Sequence, residues 1–279
     1  MILVMGATGT NVGNVGRRVL HGLLAKGAPV RAMDPDPSEA ADLPPQVEVV
    51  RGDLSDPDSL GPAFNGIERM YMLAIAGYDV LDSETAAQVL VRARKAGVRR
   101  VVLMSASGTP LVEVEEPVRE SGISWTFLRP GEFASNSVDY WGDAIRAGGP
   151  IKDTYLDVRC VPVHEEDIAD VAVAALLEDG HDGAIHTMTG PESISRRDQL
   201  RTIGKALGRD IPVEDLTPDQ ARVHMRAQGW PDEIIDHLFT YYSAWTDDPP
   251  AVLPTVEKVT GRPGRTFAQW CSEHASVFT

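Results

Sequence analysis

Over the first 130 residues, short apolar runs alternate with segments in which apolar positions recur at helical spacing. Residues 14–26 and 82–96 repeat apolar side chains every three or four positions, the spacing of an amphipathic helix. The predicted strands are 2–5, 28–33, 47–50, 69–75, 99–105 and 124–130, and the predicted helices are 14–26, 58–66, 82–96 and 112–121. Because parallel neighbours need a crossover connection, this alternation predicts an α/β fold with a doubly wound parallel sheet.

The alternation ends after Pro130. Residues 131–154 predict loop with a short helix, and 158–163 and 184–190 predict strands around a periodic helix at 165–179. Helices dominate afterwards, at 195–207, 217–228, 231–244, 255–260 and 266–275. We predict a Rossmann-like nucleotide-binding domain that binds its ligand at the strand ends, together with a smaller, mostly helical substrate-binding lobe. The first comprises 1–130 plus 155–190, and the second comprises 131–154 plus 191–279.

Charge and cysteine content exclude several classes of partner. With 26 basic against 41 acidic residues the net charge is −15, which repels nucleic acid, and we interpret the Arg99-Arg100 and Arg196-Arg197 pairs as solvated helix-end charges. No apolar run approaches the ~20 residues that span a bilayer, so no membrane partner is predicted. The opening "MILVMG" lacks a basic region and its apolar run is too short for a signal peptide, so none is predicted. Cys160 and Cys271 lack a CxxC or Cys/His pattern, so we predict no metal and two buried thiols in a reducing cytoplasm.

The first strand leads into a glycine-rich turn, "GATGTNVGNVG", that is typical of dinucleotide binding. After Gly6 and Gly9 a third glycine is due at position 12, yet glycines follow at Gly13 and Gly16 instead. The four additional residues would either extend the first helix by about one turn, into the space of a pyrophosphate, or bulge as a loop. Either outcome changes the phosphate cradle, so binding of no nucleotide stays an alternative.

Six segments together resemble the NmrA-like group of atypical short-chain dehydrogenases, which includes quinone reductases, azoreductase-like proteins and non-catalytic nucleotide sensors. They are "ILVMGATG", "VEVVRGDLSDPDSL", "AGVRRVVLMSASG", "SGISWTFLRPGEFASN", "VPVHEEDIADVAVAAL" and "TGRPGRTFAQW". The resemblance implies an NAD(P)-binding Rossmann fold over nearly the whole chain. It also implies a cofactor site formed by Gly6, Thr8, Gly9, Gly13, Gly16, Asp34, Asp53, Leu54, Ala74, Ala76, Arg129 and Pro130.

The residues after the second strand bear on cofactor choice. Members that bind NADP usually have an arginine there, whereas this chain reads "RAMDPDP". The carboxylate of Asp34 would accept a hydrogen bond from a ribose 2′-hydroxyl and repel a 2′-phosphate, so NAD is favoured over NADP. The alternative interpretation of Asp34 is a turn-forming residue before proline.

The catalytic pair of ordinary short-chain dehydrogenases is missing. No tyrosine has a lysine four positions later, and the nearest match is Tyr155 with Arg159. The remaining acid–base candidates are His164, Glu132 and Ser105, each of which has a purely structural alternative. The resemblance starts the substrate pocket at Phe133 and Asn136. Tyr140 and Trp141 extend the aromatic cluster, which either stacks on a flat substrate or packs in the core.

These observations favour an NAD(P)H-dependent oxidoreductase of quinone-reductase type that acts on a flat aromatic or quinone-like small molecule. Hydride transfer to such an acceptor demands mainly positioning, which is compatible with the missing pair. Two alternatives stay open: a cofactor-independent enzyme acting on an aromatic natural product, and a nucleotide sensor without catalysis. The sequence leaves the oligomeric state open, a homodimer included.

Overall fold

The computed structural model describes residues 1–8, 13–40, 42–76, 79–106 and 109–279, without the side chain of Ala76. The chain divides into two compact units. The first unit comprises Met1–Gly131, Glu165–Met188 and Thr255–Arg262. The second unit comprises Glu132–His164, Thr189–Pro254 and Pro263–Thr279.

The strands of the described residues fall into one large sheet and three short pairs. In chain order they are β1 (Ile2–Met5), β2 (Val30–Asp34), β3 (Glu48–Arg51), β4 (Arg69–Leu73), β5 (Ile75–Ala76), β6 (Asp79–Val80), β7 (Arg100–Met104), β8 (Ser124–Pro130), β9 (Ile151–Asp153), β10 (Arg159–Cys160), β11 (Ala184–Met188), β12 (Ile194–Ser195) and β13 (Val213–Asp215).

The described α-helices are α1 (Val15–Ala25), α2 (Gly61–Phe64), α3 (Ser83–Ala96), α4 (Glu115–Glu120), α5 (Asn136–Arg146), α6 (Glu165–Leu177), α7 (Arg196–Leu207), α8 (Pro218–Ala227), α9 (Asp232–Asp247), α10 (Thr255–Thr260) and α11 (Phe267–Glu273). Short 3-10 helices occupy Pro37–Ala40, Pro57–Leu60, Pro110–Val114 and Ala275–Phe278. None of these helices has the length and apolar character needed to cross a membrane.

The first unit is built on a seven-stranded sheet in the order β11-β8-β7-β4-β1-β2-β3, with every pair parallel. This confirms the doubly wound fold. The strand order reverses direction between β1 and β4, so successive crossovers place helices on opposite faces. The helices form two packed groups accordingly, α1 with α6 and α3 with α2 and α4.

The first unit's core lies where these helices meet the sheet. Apolar side chains of β1, β4 and β7 pack with one face of α3, formed by Ala86, Val89, Leu90 and Ala93. The Asp82 side chain caps the start of α3, and Gly97 ends it at a φ of 105°, a left-handed conformation that glycine adopts without strain. This capped amphipathic segment explains why its bounds agree with the prediction to within one residue.

The second unit is mostly helical, with two short strand pairs, β9 with β13 and β10 with β12. Helix α11 packs on α7, and Trp270 on α11 is fully buried. The predicted strand 158–163 is only the two-residue β10, and 131–154 contains the eleven-residue α5. Apart from shifts of one or two residues at its boundaries, the predicted domain division differs from the compact units at two segments. Residues 155–164 lie in the second unit, and 255–262 lie in the first because α10 packs on α6 and β11.

Candidate functional site

A cavity of about 270 Å³ lies at the carboxyl ends of the first strands of the sheet. Four residues that the sequence assigned to the cofactor line it together: Gly6, Asp34, Asp53 and Leu54. The remaining lining residues are Met5, Met33, Pro35, Gly52, Leu73 and Ile75. This position beside β1, where the strand order reverses, is where open parallel sheets bind ligands.

The glycines around β1 explain how α1 starts so close to the strand. Helix α1 begins at Val15, and the Asn14 side chain caps it by accepting from the Arg17 N–H at 2.8 Å. A Cβ on Gly16 would lie 2.4 Å from the Gly6 carbonyl oxygen, so only glycine permits this approach. Gly16 therefore packs as the third glycine of a dinucleotide turn does, and α1 is not extended over Gly13.

Asp34 ends β2 with both carboxylate oxygens hydrogen-bonded. The Thr8 hydroxyl donates to one oxygen, and the Asp36 N–H donates to the other at 2.7 Å. The Asp53 carboxylate accepts from the N–H and the hydroxyl of Ser55. These bonds fix two carboxylates at the rim of the cavity, where ribose hydroxyls could donate to them.

Other residues assigned to the cofactor are not among those that line this cavity. Ala74 is fully buried after β4, and Ala76 ends β5. Pro130 ends β8, paired in register with Met188 of β11. Gly9 lies outside the described residues.

A buried carboxylate, Glu115, organises the polar groups at the ends of β7 and β8. Ser105 donates to it at 2.7 Å, Arg129 Nε donates to the same oxygen at 2.7 Å, and Arg119 bonds the second oxygen at 2.9 Å. Burial alone would raise the pKa of Glu115, but the bonds and charges of Arg129, Ser105 and Arg119 outweigh it and lower the pKa. The Ser105 hydroxyl is thus a donor to a structural ion pair.

Glu132 occupies a different environment in the second unit. Its oxygen Oε2 is buried without a hydrogen-bond partner among the described residues. Burial raises the pKa of Glu132, although the Arg196 charge and contacts with Cys160 and Tyr242 oppose that shift. Burial also raises the pKa of the Cys160 thiol and of the Tyr242 hydroxyl. A carboxyl in such surroundings favours its protonated form and can donate a proton.

Arg196 is the centre of this second cluster. Its guanidinium bonds the Tyr242 hydroxyl at 2.6 Å and Asp153 at 2.5 Å. It also lies over the rings of Tyr242, Trp141 and Tyr140, at 4.2, 5.0 and 5.2 Å from the ring centres. The interpretation of Arg196 as a solvated charge was wrong, because only 3% of the residue is exposed. Arg197 extends outward to Asp157 and Asp215.

The aromatic residues assigned to the substrate pocket separate into two kinds. Tyr140 lines a narrow cavity of about 30 Å³ with Arg196, Tyr242 and Trp230. Trp141 is a core side chain whose indole N–H donates to Asp153 at 2.7 Å. Earlier in the same segment, Phe133 forms a β-bridge with Val163, and Asn136 begins α5.

His164 is nearly fully buried directly before α6. Its Nε2 lies 3.4 Å from the Glu273 carboxylate, and its ring centre lies 5.8 Å from that of His274. The structure therefore brings His164 together with the end of α11. Glu132 and Ser105 belong to the other two clusters.

Sequence reasoning missed Glu115, Arg196 and Tyr242 as organising residues. Glu115 had a local signal, since it lies between the apolar Val114 and Val118, which are both buried. Arg196 had none, because its partners Asp153 and Tyr242 are distant along the chain.

Comparisons with known proteins bear on the whole chain. A family profile described as NAD(P)H-binding matches residues 6–117. The (4-alkanoyl-5-oxo-2,5-dihydrofuran-3-yl)methyl phosphate reductase of Streptomyces griseus is 36% identical over 100% of this chain and 99% of its own. The NAD(P)H azoreductase of Xenophilus azovorans is 32% identical, with the same coverage.

Solved structures share the fold. An NADPH-dependent quinone oxidoreductase from Escherichia coli, complexed with NADPH, matches with a TM-score of 0.82 at 24% identity, covering 98% of this chain and 99% of that one. The triphenylmethane reductase of Citrobacter sp. matches with a TM-score of 0.81 at 22% identity and covers 98% of each chain. Both likenesses show the fold of the chain.

Proposed function

This chain belongs to the NmrA-like, NAD(P)H-binding family of atypical short-chain dehydrogenases, and we propose that it reduces flat aromatic or quinone-like small molecules. It is an NAD(P)H-dependent oxidoreductase. The observation that carries the proposal is the cavity at the ends of β1, β2 and β3, lined by Gly6, Asp34 and Asp53. The Gly16 contact with Gly6 supplies the close helix–strand packing that such a cofactor site requires.

The chemistry shared by the relatives' acceptors supports the proposed substrate class. A quinone, an azo compound and a conjugated dihydrofuranone are all electron-poor conjugated acceptors. Each gains a hydride and a proton on reduction, and the nucleotide is oxidised in the same step. The reduced nicotinamide supplies the hydride when it is bound. The chain must therefore hold the acceptor flat and deliver one proton.

Glu132 is the proton donor in this proposal. It follows β8 in the chain, directly after Gly131, and the residue as a whole is partly exposed although its Oε2 is buried. Burial favours the protonated carboxyl, which is the form that can protonate a reduced acceptor. Tyr242 and Arg196 beside it position the carboxyl and stabilise the carboxylate left after transfer.

NAD is the preferred nucleotide in this proposal. The carboxylate of Asp34 is held in the cavity wall by Thr8 and by the Asp36 N–H, where it would accept from a ribose 2′-hydroxyl. The same charge would repel a 2′-phosphate. The two free, buried cysteines support a reducing, cytoplasmic location.

Steady-state oxidation of NADH and NADPH, with a quinone and an azo dye as acceptors, tests the proposal. We expect NADH to give the higher kcat/KM, and Asp34→Ser to improve kcat/KM for NADPH about tenfold, equivalent to about 1.4 kcal/mol. Asp36→Asn is the matched control, because the Asp36 carboxylate bonds Ser38 within its own turn. An unchanged preference in Asp34→Ser would remove Asp34 as the determinant.

The two alternatives are outcomes of the same experiment. Turnover in nucleotide-free protein would favour a cofactor-independent enzyme. Nucleotide binding without turnover of any acceptor, and with different affinities for the oxidised and reduced forms, would favour a sensor.

A further inference from the structure

We propose that the second unit binds a zinc ion through His164, Glu273 and His274. The three side chains come from two distant segments of the chain, the residue before α6 and the end of α11. One ligand atom from each lies within 4.8 Å of the other two. Two imidazoles and one carboxylate are a ligand set that zinc takes in proteins, with water in the fourth position.

The spacing of the first pair fits a shared ion. His164 Nε2 and Glu273 Oε2 are 3.4 Å apart, longer than an ordinary N–H···O hydrogen bond. Two ligands of a tetrahedral zinc ion with bonds of about 2.1 Å are separated by about 3.4 Å. The pair therefore already has the separation that the ion requires.

A hydrogen bond of His274 fixes a tautomer that suits a metal ligand. Its Nδ1 lies 3.0 Å from the Trp270 carbonyl oxygen, so this nitrogen carries the proton and donates it. The lone pair is then on Nε2, the nitrogen that would ligate the ion. Metal-binding histidines usually donate their other N–H to a carbonyl or carboxylate in this way, which fixes both tautomer and ring orientation.

The scaffold around the site is rigid. The His274 ring stacks on the Trp270 indole, with ring centres 4.9 Å apart and planes inclined by 16°. Trp270 is itself fully buried between Phe267 and Phe278. Packing thus holds one imidazole before any ion arrives, which lowers the entropic cost of binding.

Access is from the Glu273 side. The His164 side chain is 1% exposed, whereas that of Glu273 is 51% exposed. The carboxylate can therefore swing to admit an ion onto the buried imidazole. Bound zinc would connect the segment before α6 to the end of α11, so it should stabilise the folded chain through linkage.

Calorimetric titration of the chelator-treated full chain with zinc chloride tests the proposal, together with the melting temperature with and without zinc. We expect saturable binding of one zinc per chain and a higher melting temperature. Glu273→Gln, which keeps the shape of an exposed side chain, and His274→Ala should each weaken binding at least about tenfold. Cobalt substituted for zinc should give the visible absorption of a four-coordinate ion.

Controls exclude other histidines. His237→Ala and Glu233→Gln change exposed residues of α9 and should leave the zinc affinity unchanged. His186→Ala removes the His181–His186 pair, whose ring nitrogens are 3.1 Å apart, and should also have no effect. Absence of saturable zinc binding would overturn the proposal and leave the cluster as a metal-free ion pair. A zinc affinity of Glu273→Gln and His274→Ala equal to that of the wild-type chain would overturn it as well. A loss of zinc affinity in His186→Ala would do the same.

Discussion

Glu115 in the first compact unit and Glu132 in the second are carboxyls that their surroundings hold in opposite ways. Glu115 in the first unit is bonded by Arg129, Arg119 and Ser105, which together lower its pKa. Glu132 in the second unit has one buried oxygen without a partner among the described residues, and burial raises its pKa. Burial is the largest influence on the pKa of both carboxyls and raises both. The opposite net shifts therefore come from how the neighbouring arginines contact each carboxyl.

The lesson is that direct hydrogen bonds decide the charge of a buried carboxyl. Two arginines reach Glu115 with short bonds, whereas the Arg196 guanidinium near Glu132 is committed to Asp153 and Tyr242. The first arrangement fixes a charged structural centre. The second leaves an acid that can exchange its proton, as reduction of a conjugated acceptor requires.

The largest expected effect comes from breaking the charged centre. Glu115→Gln leaves the Arg129 guanidinium, which is 22% exposed, without its counter-ion. Removing one partner of a buried pair typically costs about 3–5 kcal/mol, and we expect a loss of that order in the free energy of unfolding. Urea denaturation at pH 7 measures it.

Glu116→Gln is the matched control, because Glu116 is the next residue of α4 and pairs with Arg119 only at the surface. Its effect should stay below about 0.5 kcal/mol. The folded-state pKa of Glu115 is lowered, so its contribution is present above the unfolded pKa of about 4.3 and is lost as pH falls through the folded pKa. A cost in Glu115→Gln that is independent of pH would contradict the ion-pair account.

The second effect is on catalysis. Glu132→Gln removes the proposed proton donor but keeps the side-chain shape, so kcat for a quinone should fall about 100-fold with KM for NADH unchanged. Stopped-flow and steady-state oxidation of NADH measure both quantities. The same substitution in Glu116 should leave kcat unchanged.

Stability of the Glu132→Gln variant separates catalysis from folding. The folded-state pKa of Glu132 is raised, so ionising this residue costs stability as pH rises from about 4.3 through the folded pKa. The variant should therefore gain stability relative to wild type over that window. A variant that loses both activity and stability at pH 8 would make Glu132 a structural residue.

The smallest effect distinguishes two buried tyrosines. The Tyr71 hydroxyl in β4 has no hydrogen-bond partner among the described residues, whereas Tyr242 accepts from Arg196 at 2.6 Å. Tyr71→Phe should change the free energy of unfolding by less than about 0.5 kcal/mol, and Tyr242→Phe should lower it by about 1–2 kcal/mol. Thermal and urea unfolding of both variants measure this, and equal costs would contradict the assigned bonding.

Local sequence signals predict the first unit well. Strand β8 has the predicted bounds, and α3 is located by its apolar face, its Asp82 cap and its terminal Gly97. Gly6, Asp34 and Asp53 were selected because each follows a predicted strand, and in the structure all three line one cavity. They meet there because the carboxyl ends of parallel strands lie at the same edge of a sheet. Gly16 lies four residues later than the motif spacing predicts for the third glycine. It nevertheless has that glycine's packing role, because it contacts the backbone at the end of β1.

The second unit depends on contacts that local patterns do not carry. Strand β9 pairs with β13 and β10 with β12, and none of these segments is long enough to show an alternating pattern. Glycine and polar residues obscured α5, whose buried residues Trp141 and Ile145 nevertheless follow helical spacing. Arg196 is buried by partners that are distant in sequence. An interpretation based on its charge alone therefore placed it wrongly at the surface.

Anaerobic reaction of nucleotide-free protein with NADH and a quinone tests the central claim most directly. The account predicts that NADH is consumed in proportion to the quinone added, at a rate that depends on both reactants, and that Glu132→Gln slows the reaction about 100-fold. The account would be contradicted if neither NADH nor NADPH were oxidised in the presence of quinone, azo and triphenylmethane acceptors, and if neither nucleotide raised the melting temperature of the protein.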